Sequence, residues 1–538
     1  MGGIVAPGRA RGDVRETPPW PRGSRPYALS FPPRPGETAR RTLAKAPLPG
    51  SQHPLLARPS RHAPGVKSRA GGHMDASAVD AVIVGAGVAG LTAARALRRV
   101  GFSVAVLEAR ERVGGRTLSQ SLGGEVVDLG GQWVGPQQRH VLRLADELGL
   151  RRFPQHHRGT KVLEVRGERR TYRGQVPSLP LLSLLDLQRV IWKLDGLAKR
   201  VPLERPGAAP RAAEWDALTL EEWKQRHVPT WGARAALDIA TRAVFAAEPS
   251  ELSFLHFLFY VHSNHGLMPL TTIEGGAQAE RFTGGAQTLG LRMAGELGAR
   301  VHLSTPVRAV LQDEGGVTVT ADGDRAWRAR YAVVAVPPAL AERIDFGAAL
   351  PPERRRAHAD LPMGSVIKVV ATYERPFWRE AGFSGEAVSD TGPVRLCFDD
   401  CSADGHHPAL VGFFLGETAR QWTHRPPAER RRAALESFAR FFGPQALRPT
   451  AVADLDWIAE PWSKGCYVGL PRPGALTAIG DALRAPFGRV HWAGTETALE
   501  GCGYLDGAVE SGERAATELA ARLSLPATSP SRVQVVTG

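Results

Sequence analysis

The spacing of hydrophobic positions changes several times along the chain, and its most regular part lies between residues 81 and 116. The run from Ala81 to Val84 is short and apolar, which is typical of a buried strand. Leu91 to Arg99 is rich in alanine and leucine at helical spacing, and Ser103 to Leu107 is again apolar. This order predicts a βαβ unit.

The rest of the chain alternates between α/β patterning and two stretches of different character. Residues 153–282 show mostly helical patterns broken by prolines, with an aromatic and apolar run from Phe254 to Tyr260. The α/β pattern returns at Phe282 and is interrupted again after Pro337. Outside the βαβ unit, the predicted helices are Val141–Leu150, one ending near Leu297, and Gly507–Arg522, and the predicted strands are Arg300–Leu303, Gly316–Thr320, Tyr331–Ala335, Ser365–Tyr373 and Leu410–Leu415.

These changes predict an α/β fold, in which a discontinuous Rossmann-like nucleotide-binding domain carries an inserted mixed α+β domain. A chain of 538 residues is too long for one small core, which also favours two domains. The expected pieces of the nucleotide-binding domain are residues 77–152, 283–357 and 460–522, those of the inserted domain are 153–282 and 358–459, and disordered tails are expected at 1–73 and 523–538.

Three glycines connect the first predicted strand to the helix in G-x-G-x-x-G spacing: Gly85, Gly87 and Gly90. In a βαβ unit these positions allow a tight turn, close approach of backbone to a pyrophosphate, and packing of the helix on the strand. Glu108 follows the second strand 18 residues after Gly90, close to the offset of about 20 residues at which an acidic side chain binds a ribose. A dinucleotide site is therefore predicted.

Two further glycine pairs favour FAD over NAD as the dinucleotide. Gly114-Gly115 precedes Arg116, and a second pair at 130–131 precedes Gln132 and Trp133. Both pairs let backbone approach an extended ligand again. A resident FAD needs this more than a nicotinamide cofactor that leaves after each turnover.

Composition argues against several classes of protein. No apolar run approaches the 18 or so residues of a membrane helix, so no membrane span is expected. The four cysteines, Cys397, Cys401, Cys466 and Cys502, are too few and too scattered for a disulfide framework, which favours a reducing compartment and a cytoplasmic location. Because Cys397 and Cys401 have no second ligand pair at metal-binding spacing, no metal is expected.

The net charge of +14 is concentrated at the N-terminus. Residues 1–73 hold 13 Lys and Arg against 3 Asp and Glu, which leaves +4 for the other 465 residues. The same segment holds 13 of the 42 prolines, so it is expected to be a disordered and dispensable tail, with Met74 as the expected true start. Its charges have few aromatic neighbours, and no specific nucleic-acid binding is expected.

Five motifs in order along the chain carry a resemblance to a known family. They are Leu129 to Pro136 (LGGQWVGP), Met363 to Lys368 (MGSVIK), Gly465 to Tyr467 (GCY), Ala493 to Thr497 (AGTET) and Gly503 to Val509 (GYLDGAV). The chain closely resembles the flavin-dependent monoamine oxidases over residues 78 to about 522. This resemblance implies a FAD-binding domain with an inserted substrate domain. It also implies oxidation of a primary amine by O₂ to an aldehyde, ammonia and hydrogen peroxide. A homodimer is a further expectation.

The resemblance also implies roles for individual residues. Cys466 matches the cysteine that bonds to the 8α carbon of the flavin, and Lys368 matches the lysine that reaches flavin N5 through a water. Apolar neighbours of Lys368 predict that it is buried. The other matches are Glu108 and Arg110 at the adenosine end, Val307 at the adenine, Arg116 at the pyrophosphate, Thr495 and Glu496 on the flavin side, Gly115, Gln132, Trp133 and Gly494 as further cofactor-binding candidates, Trp457 beside the lysine, Tyr467 and Tyr504 flanking the substrate amine, and Gln278 in the substrate pocket.

Several alternatives stay open at this point. A polyamine or diamine oxidase, or an L-amino acid oxidase, would share the fold, and the latter needs an arginine that binds the substrate carboxylate. A flavin-binding protein without turnover and a nucleic-acid-associated protein are more remote. A copper amine oxidase is excluded because its quinone precursor lies in an Asn-Tyr dipeptide, whereas the single asparagine of this chain, Asn264, precedes histidine.

Overall fold

The protein is known here as a computed structural model, which describes residues 78–174 and 178–524. The predicted tail at 1–73 and the tail at 523–538, apart from its first two residues, lie outside this range. The strands are β1 Val79–Val84, β2 Val104–Leu107, β3 Ser119–Leu122, β4 Glu125–Asp128, β5 Trp133–Val134, β6 Arg152–Pro154, β7 Thr160–Val165, β8 Glu168–Tyr172, β9 Glu280–Phe282, β10 Val301–His302, β11 Val307–Asp313, β12 Gly316–Ala321, β13 Arg325–Val334, β14 Val366–Thr372, β15 Phe383–Ser389, β16 Leu396–Asp399, β17 Ala409–Leu415, β18 Ala451–Asp456 and β19 Val490–Trp492.

The helices lie between and after these strands along the described part of the chain. They are α1 Val88–Arg99, α2 Arg139–Glu147, α3 Leu181–Ala198, α4 Ala212–Ala217, α5 Leu220–His227, α6 Trp231–Phe245, α7 Phe254–Ser263, α8 Leu267–Thr271, α9 Thr288–Leu297, α10 Pro338–Ala341, α11 Pro352–Ala359, α12 Phe377–Glu380, α13 Gly416–Trp422, α14 Pro427–Phe442, α15 Ala475–Ile479 and α16 Leu505–Leu523. Single 3₁₀ turns lie at Pro206–Ala208, Gly298–Arg300, Pro444–Leu447, Gly480–Leu483 and Thr495–Thr497.

The first sheet brings together strands from distant parts of the sequence. Its order is β10-β2-β1-β13-β12-β11, and β19 also pairs with β13. The strands β10, β2, β1, β13 and β19 are parallel, whereas β11, β12 and β13 form an antiparallel meander. Helices α1, α9 and α16 share one apolar cluster with one face of this sheet, which is the layered arrangement of a Rossmann-like domain.

The second sheet has the order β18-β14-β17-β16-β15-β7-β8. All its pairs are antiparallel except β15 with β7. One face packs on α12 and α14 through an apolar cluster that includes Trp378 and Phe438. Helices α3 to α8 form a separate layer around a core of aromatic and apolar side chains, which includes the run from Phe254 to Val261.

Two parts of the structure differ from the predicted elements. The segment 153–282, predicted to be mostly helical, begins with β6, β7 and β8 before its helices. In β7 both Val162 and Leu163 are buried, on opposite faces of the sheet, so the strand lacks a clear polar alternation. The second insertion, predicted from its strands alone, also contains α14, which begins with Pro427 in the first helical turn, where proline is well tolerated.

Candidate active site

The residues singled out in the sequence converge on one cavity of about 1090 Å³. Its lining includes Gly85, Gly87, Glu108, Arg110, Gly115, Arg116, Gln132, Trp133, Gln278, Val307, Cys466, Tyr467, Gly494, Thr495 and Tyr504. Gly90, Lys368, Trp457 and Glu496 are not in the lining and lie behind it. The cavity therefore joins the predicted dinucleotide site to the predicted amine site.

The glycine turn at one end of the cavity depends on having no side chains. Gly85 has a φ of +104°, which favours glycine. A Cβ at Gly90 would lie 2.0 Å from the Gly85 carbonyl oxygen, so any other residue would push α1 off the turn. Gly87 caps α1 without a side-chain hydrogen bond, and the first turn of α1 carries no acidic residue. The helix N-terminus is thus available to an anion from the cavity.

Two charged side chains follow β2 at the same end. Glu108 is buried and accepts hydrogen bonds from the Ala86 N–H at 2.8 Å and the Arg110 N–H at 3.0 Å. Arg110 donates to Glu460 at 2.6 Å and to Ser463 at 2.8 Å. These contacts hold the Glu108 carboxylate against the glycine turn, where the sequence predicts the ribose.

The described residues fit a bound FAD at this site. Gly87 and Gly115 both line the cavity, and a Cβ at Gly115 would lie 3.1 Å from the Gly87 Cα, so side chains here would fill the cradle. The buried Arg110 Nε has no hydrogen-bond partner among the described residues. An uncapped helix end, a backbone cradle and a spare guanidinium N–H are the groups that a pyrophosphate and its nucleoside would use.

Arg116 and Glu496 form a buried ion pair in the wall of the cavity. The guanidinium donates to both Glu496 carboxylate oxygens, at 2.6 Å and 3.1 Å, and to the Tyr467 carbonyl at 2.8 Å. Burial opposes ionisation of Glu496, but the Arg116 charge and hydrogen bonds outweigh it and lower its pKa. Glu496 also accepts the Gly469 N–H at 3.1 Å. Arg116 therefore joins the chain after β2 to the segment that carries Cys466 and Tyr467.

Lys368 lies in β14 with 2% of its surface exposed, as its apolar neighbours predict. Its ammonium donates to the Gly130 carbonyl at 2.9 Å and to the Gln132 side-chain oxygen. The rings of Trp133 and Phe413 lie 5.7 Å and 5.5 Å from Nζ. Lys368 thus supports the glycine pair at 130–131 from behind, and both of these glycines line the cavity.

A network of buried charges surrounds this lysine. Gln132 donates to Asp400 at 2.9 Å, and Asp400 forms an ion pair with Arg281 at 3.0 Å. Burial lowers the pKa of Lys368 to about 8, although Asp400 and Asp128 partly offset it. Burial also raises the pKa of Asp400, against the charges of Arg281 and Lys368. Asp400 and Arg281 were not predicted from the sequence, because neither belongs to a local motif.

Trp457 holds the same loop from another side. Its indole N–H donates to the Leu129 carbonyl at 2.9 Å. Trp457 and Lys368 thus bind consecutive carbonyls of the segment that leads to Gln132 and Trp133. The aromatic ring of Trp457 belongs to the same apolar cluster as Cys466.

Cys466 and Tyr467 follow Gly465 and line the cavity, and the peptide bond between them is cis. Cys466 is buried, and burial raises the pKa of its thiol to about 12 despite the nearby Arg116 charge. Such a thiol is not reactive by itself, so any bond it forms needs a partner that is activated for attack. Cys397, Cys401 and Cys502 are also buried and free.

Tyr504, at the start of α16, and Tyr467 both line the cavity, and burial raises the pKa of both phenols. The Tyr504 carbonyl accepts the Thr495 hydroxyl at 2.9 Å, which joins it to the Ala493–Thr497 motif. The Tyr260 ring, from α7, lies 6.2 Å from the Tyr504 ring and is a third aromatic side chain that the sequence did not single out. Gln278 also lines the cavity and donates to the Leu270 carbonyl at 3.3 Å.

Comparison with known proteins identifies the family of this chain. The family model described as "Flavin containing amine oxidoreductase" matches residues 88–520. "Probable flavin-containing monoamine oxidase A" of Dictyostelium discoideum is 42% identical over 448 residues, which cover 82% of this chain and 98% of that protein. "Amine oxidase [flavin-containing] B" of Bos taurus is 36% identical over 448 residues, which cover 82% and 86%.

Solved structures of amine oxidases are also similar to this chain. Wild-type putrescine oxidase bound to putrescine superposes with a TM-score of 0.79 at 36% identity, covering 83% of this chain and all of that one. Cyclohexylamine oxidase from Brevibacterium oxydans IH-35A also gives 0.79, at 35% identity, covering 84% and 100%. These findings define a flavin-dependent oxidoreductase that acts on amines. The chain belongs to the family of flavin-containing amine oxidoreductases.

Family membership confirms several predictions made from the sequence. The fold is α/β with a FAD-binding domain, and the protein is an oxidoreductase that uses an amine and O₂. Among residues 78–174 and 178–524, we find no helix with the length and apolar character that crossing a membrane requires. The roles of individual residues and the domain boundaries stay predictions.

Proposed function

We propose that this protein oxidises primary monoamines with O₂ to imines and hydrogen peroxide, and that water then hydrolyses the imine to an aldehyde and ammonia. The main support for this function is that Tyr467 and Tyr504 line the same cavity as the glycine turn. Bound FAD would supply the redox chemistry, by accepting a hydride equivalent from the amine Cα and passing the electrons to O₂. The test is peroxide release by the purified yellow protein with a panel of primary amines.

The described residues contribute orientation and electrostatics to this reaction. The electron-rich faces of two tyrosine rings favour an amine head group and restrict how it can turn. The apolar side chains around the rings exclude water from the reacting carbon. The Arg116–Glu496 ion pair fixes the backbone of Tyr467, so the position of this ring follows from the buried charge pair.

A diamine or polyamine oxidase is the second candidate. Putrescine oxidase is among the similar structures, and Glu386 places a carboxylate in the lining of the cavity. The homodimer and the cytoplasmic location stay predictions. Sedimentation of the purified protein would measure the first.

We further propose that Cys466 binds FAD covalently, because it is buried in the cavity lining between Gly465 and Tyr467. We expect acid-denatured wild-type protein to precipitate yellow, and Cys466→Ala to release its flavin into the supernatant. Cys502→Ala is the matched control, since Cys502 is equally buried but is not in the cavity lining. A colourless wild-type precipitate would contradict the covalent bond and leave the FAD site intact.

Lys368 is proposed to act through its buried charge next to the glycine pair at 130–131. Lys368→Met should lower kcat by at least about tenfold, which is about 1.4 kcal/mol of barrier. With a pKa of about 8, the wild-type ammonium loses its proton between pH 7 and 9, so the wild-type pH profile should contain a titration in this window that the variant lacks. Stopped-flow rates of flavin reduction and reoxidation against pH would measure this.

The same pKa predicts a pH dependence of stability. Lys368 binds its proton less tightly in the folded protein than in the unfolded chain, where its pKa is near 10.5. The unfolded state therefore holds more protons between pH 8 and 10.5, and the Lys368 contribution to stability rises with pH in this window. Lys368→Met should lack that rise in urea unfolding, whereas a slope equal to that of the wild type would mean that folding does not lower the pKa of Lys368.

A further inference from the structure

A second pair of charges faces the cavity far from Lys368. Lys161 in β7 and Glu386 in β15 both line the cavity, with 12% and 14% of their side chains exposed, and Nζ lies 2.7 Å from Glu386 Oε2. The angle of this contact is not that of a hydrogen bond, and no other donor within the described segments reaches Oε2. The Tyr172 ring lies 5.9 Å from Nζ.

The register of the second sheet gives the position of this pair. One row of cross-strand neighbours runs from Lys368 through Phe413, Leu396 and Val388 to Leu163. Neighbouring strands lie about 4.8 Å apart, so β15 is about 14 Å and β7 about 19 Å from β14 along the sheet. Lys161 lies two residues from Leu163 and therefore on the same face. The pair thus faces the end of the cavity remote from Lys368.

One side of the Lys161–Glu386 pair packs against an apolar cluster. Leu163, Val165 and Val388 form one cluster with Tyr172 and Leu396. In such surroundings a charge is costly unless it is compensated, and here each charge compensates the other. The pair offers no net charge to a ligand that enters the cavity.

We propose that the Lys161–Glu386 ion pair makes the cavity select monoamines over diamines, with Lys161 masking the carboxylate that a second ammonium would bind. The proposal rests on the amine oxidase function proposed above. A distal ammonium can reach Glu386 only if it displaces Lys161, which then loses its ionic partner in an apolar site. The methyl end of an alkyl monoamine requires no such exchange.

The test compares heptylamine with 1,7-diaminoheptane, which differ in the distal group. The measured quantity is the ratio of kcat/KM for the diamine to that for the monoamine. We expect a ratio below about 0.1 in the wild type and a rise of at least about tenfold in Lys161→Met, because the bare carboxylate then attracts the distal ammonium. Diamines with four to eight carbons would show the length at which the gain is greatest.

Three further variants test whether the change in the ratio comes from the charge of Glu386. Lys161→Met/Glu386→Gln should return the ratio toward the wild-type value, because the attracting charge is gone. Lys199→Met removes an exposed lysine outside the cavity lining and should leave the ratio unchanged. Lys161→Gln tests the same effect with a polar side chain if Lys161→Met does not fold.

The outcomes separate this inference from the proposed function. If the wild type oxidises neither compound, the proposed monoamine oxidase function fails. If it oxidises heptylamine, but neither Lys161 variant changes the ratio, the selectivity role of the ion pair is wrong and the function stands. A wild type that already prefers the diamine would also overturn the inference.

Discussion

Replacing Arg116 by methionine is expected to lower the free energy of unfolding by about 3–5 kcal/mol, because it leaves Glu496 buried without its counter-charge. Glu496 has 1% of its side chain exposed, and Arg116 donates to both of its carboxylate oxygens. The same substitution removes the hydrogen bond to the Tyr467 carbonyl. Urea unfolding, with FAD in excess in every sample, would measure the loss.

Two controls isolate the buried charge as the cause. Arg375 pairs with Glu380 at 2.5 Å, but their side chains are 73% and 44% exposed, so Arg375→Met should cost less than about 1 kcal/mol. The double variant Arg116→Met/Glu496→Leu removes both charges and should recover much of the stability lost by Arg116→Met. If Arg116→Met costs no more than Arg375→Met, the pair does not stabilise the fold.

The glycine turn shows why part of this site could be predicted from the sequence. Gly85, Gly87 and Gly90 act within one turn, and their spacing reflects backbone geometry that lies entirely within the βαβ unit. A Cβ at Gly90 would lie 2.0 Å from the Gly85 oxygen, so the local backbone structure itself requires the glycine of the motif. Burial of Lys368 was also predictable from neighbouring residues, since the residues before and after it in its strand are apolar.

The partners of Lys368 could not be predicted in this way. Gln132 and Asp400 meet the lysine only after β14 and β16 have entered the same sheet and the Leu129–Gln132 segment has packed against it. The Lys161–Glu386 pair depends on the parallel pairing of β7 with β15. These strands belong to two insertions that are far apart in the sequence, 153–282 and 358–459. The sequence around a buried charge on a strand does not identify its counter-charge, because that partner is brought in by tertiary structure.

The arginines of the cavity decide between amine and amino acid substrates. An L-amino acid oxidase needs an arginine that is free to bind the substrate carboxylate. Arg116 is the arginine that contacts Tyr467, and its guanidinium is already bound to Glu496. Arg110 is bound to Glu460, and Arg308 to Asp322. Arg343 donates to the Pro461 carbonyl. Arg158 and Arg173, which contacts Thr160, lie next to β7, at the end of the cavity remote from Lys368.

Tyramine should therefore be oxidised with a kcat/KM at least about 100-fold above that of L-tyrosine, because a buried carboxylate without a counter-charge costs about 3 kcal/mol or more. The two compounds differ only in that carboxylate, so each serves as the control for the other. Phenethylamine and L-phenylalanine would repeat the comparison without the phenol. Peroxide release under steady-state conditions gives all four values. Comparable values within either pair would mean that an arginine of the cavity lining binds the substrate carboxylate, and the protein would then be an amino acid oxidase.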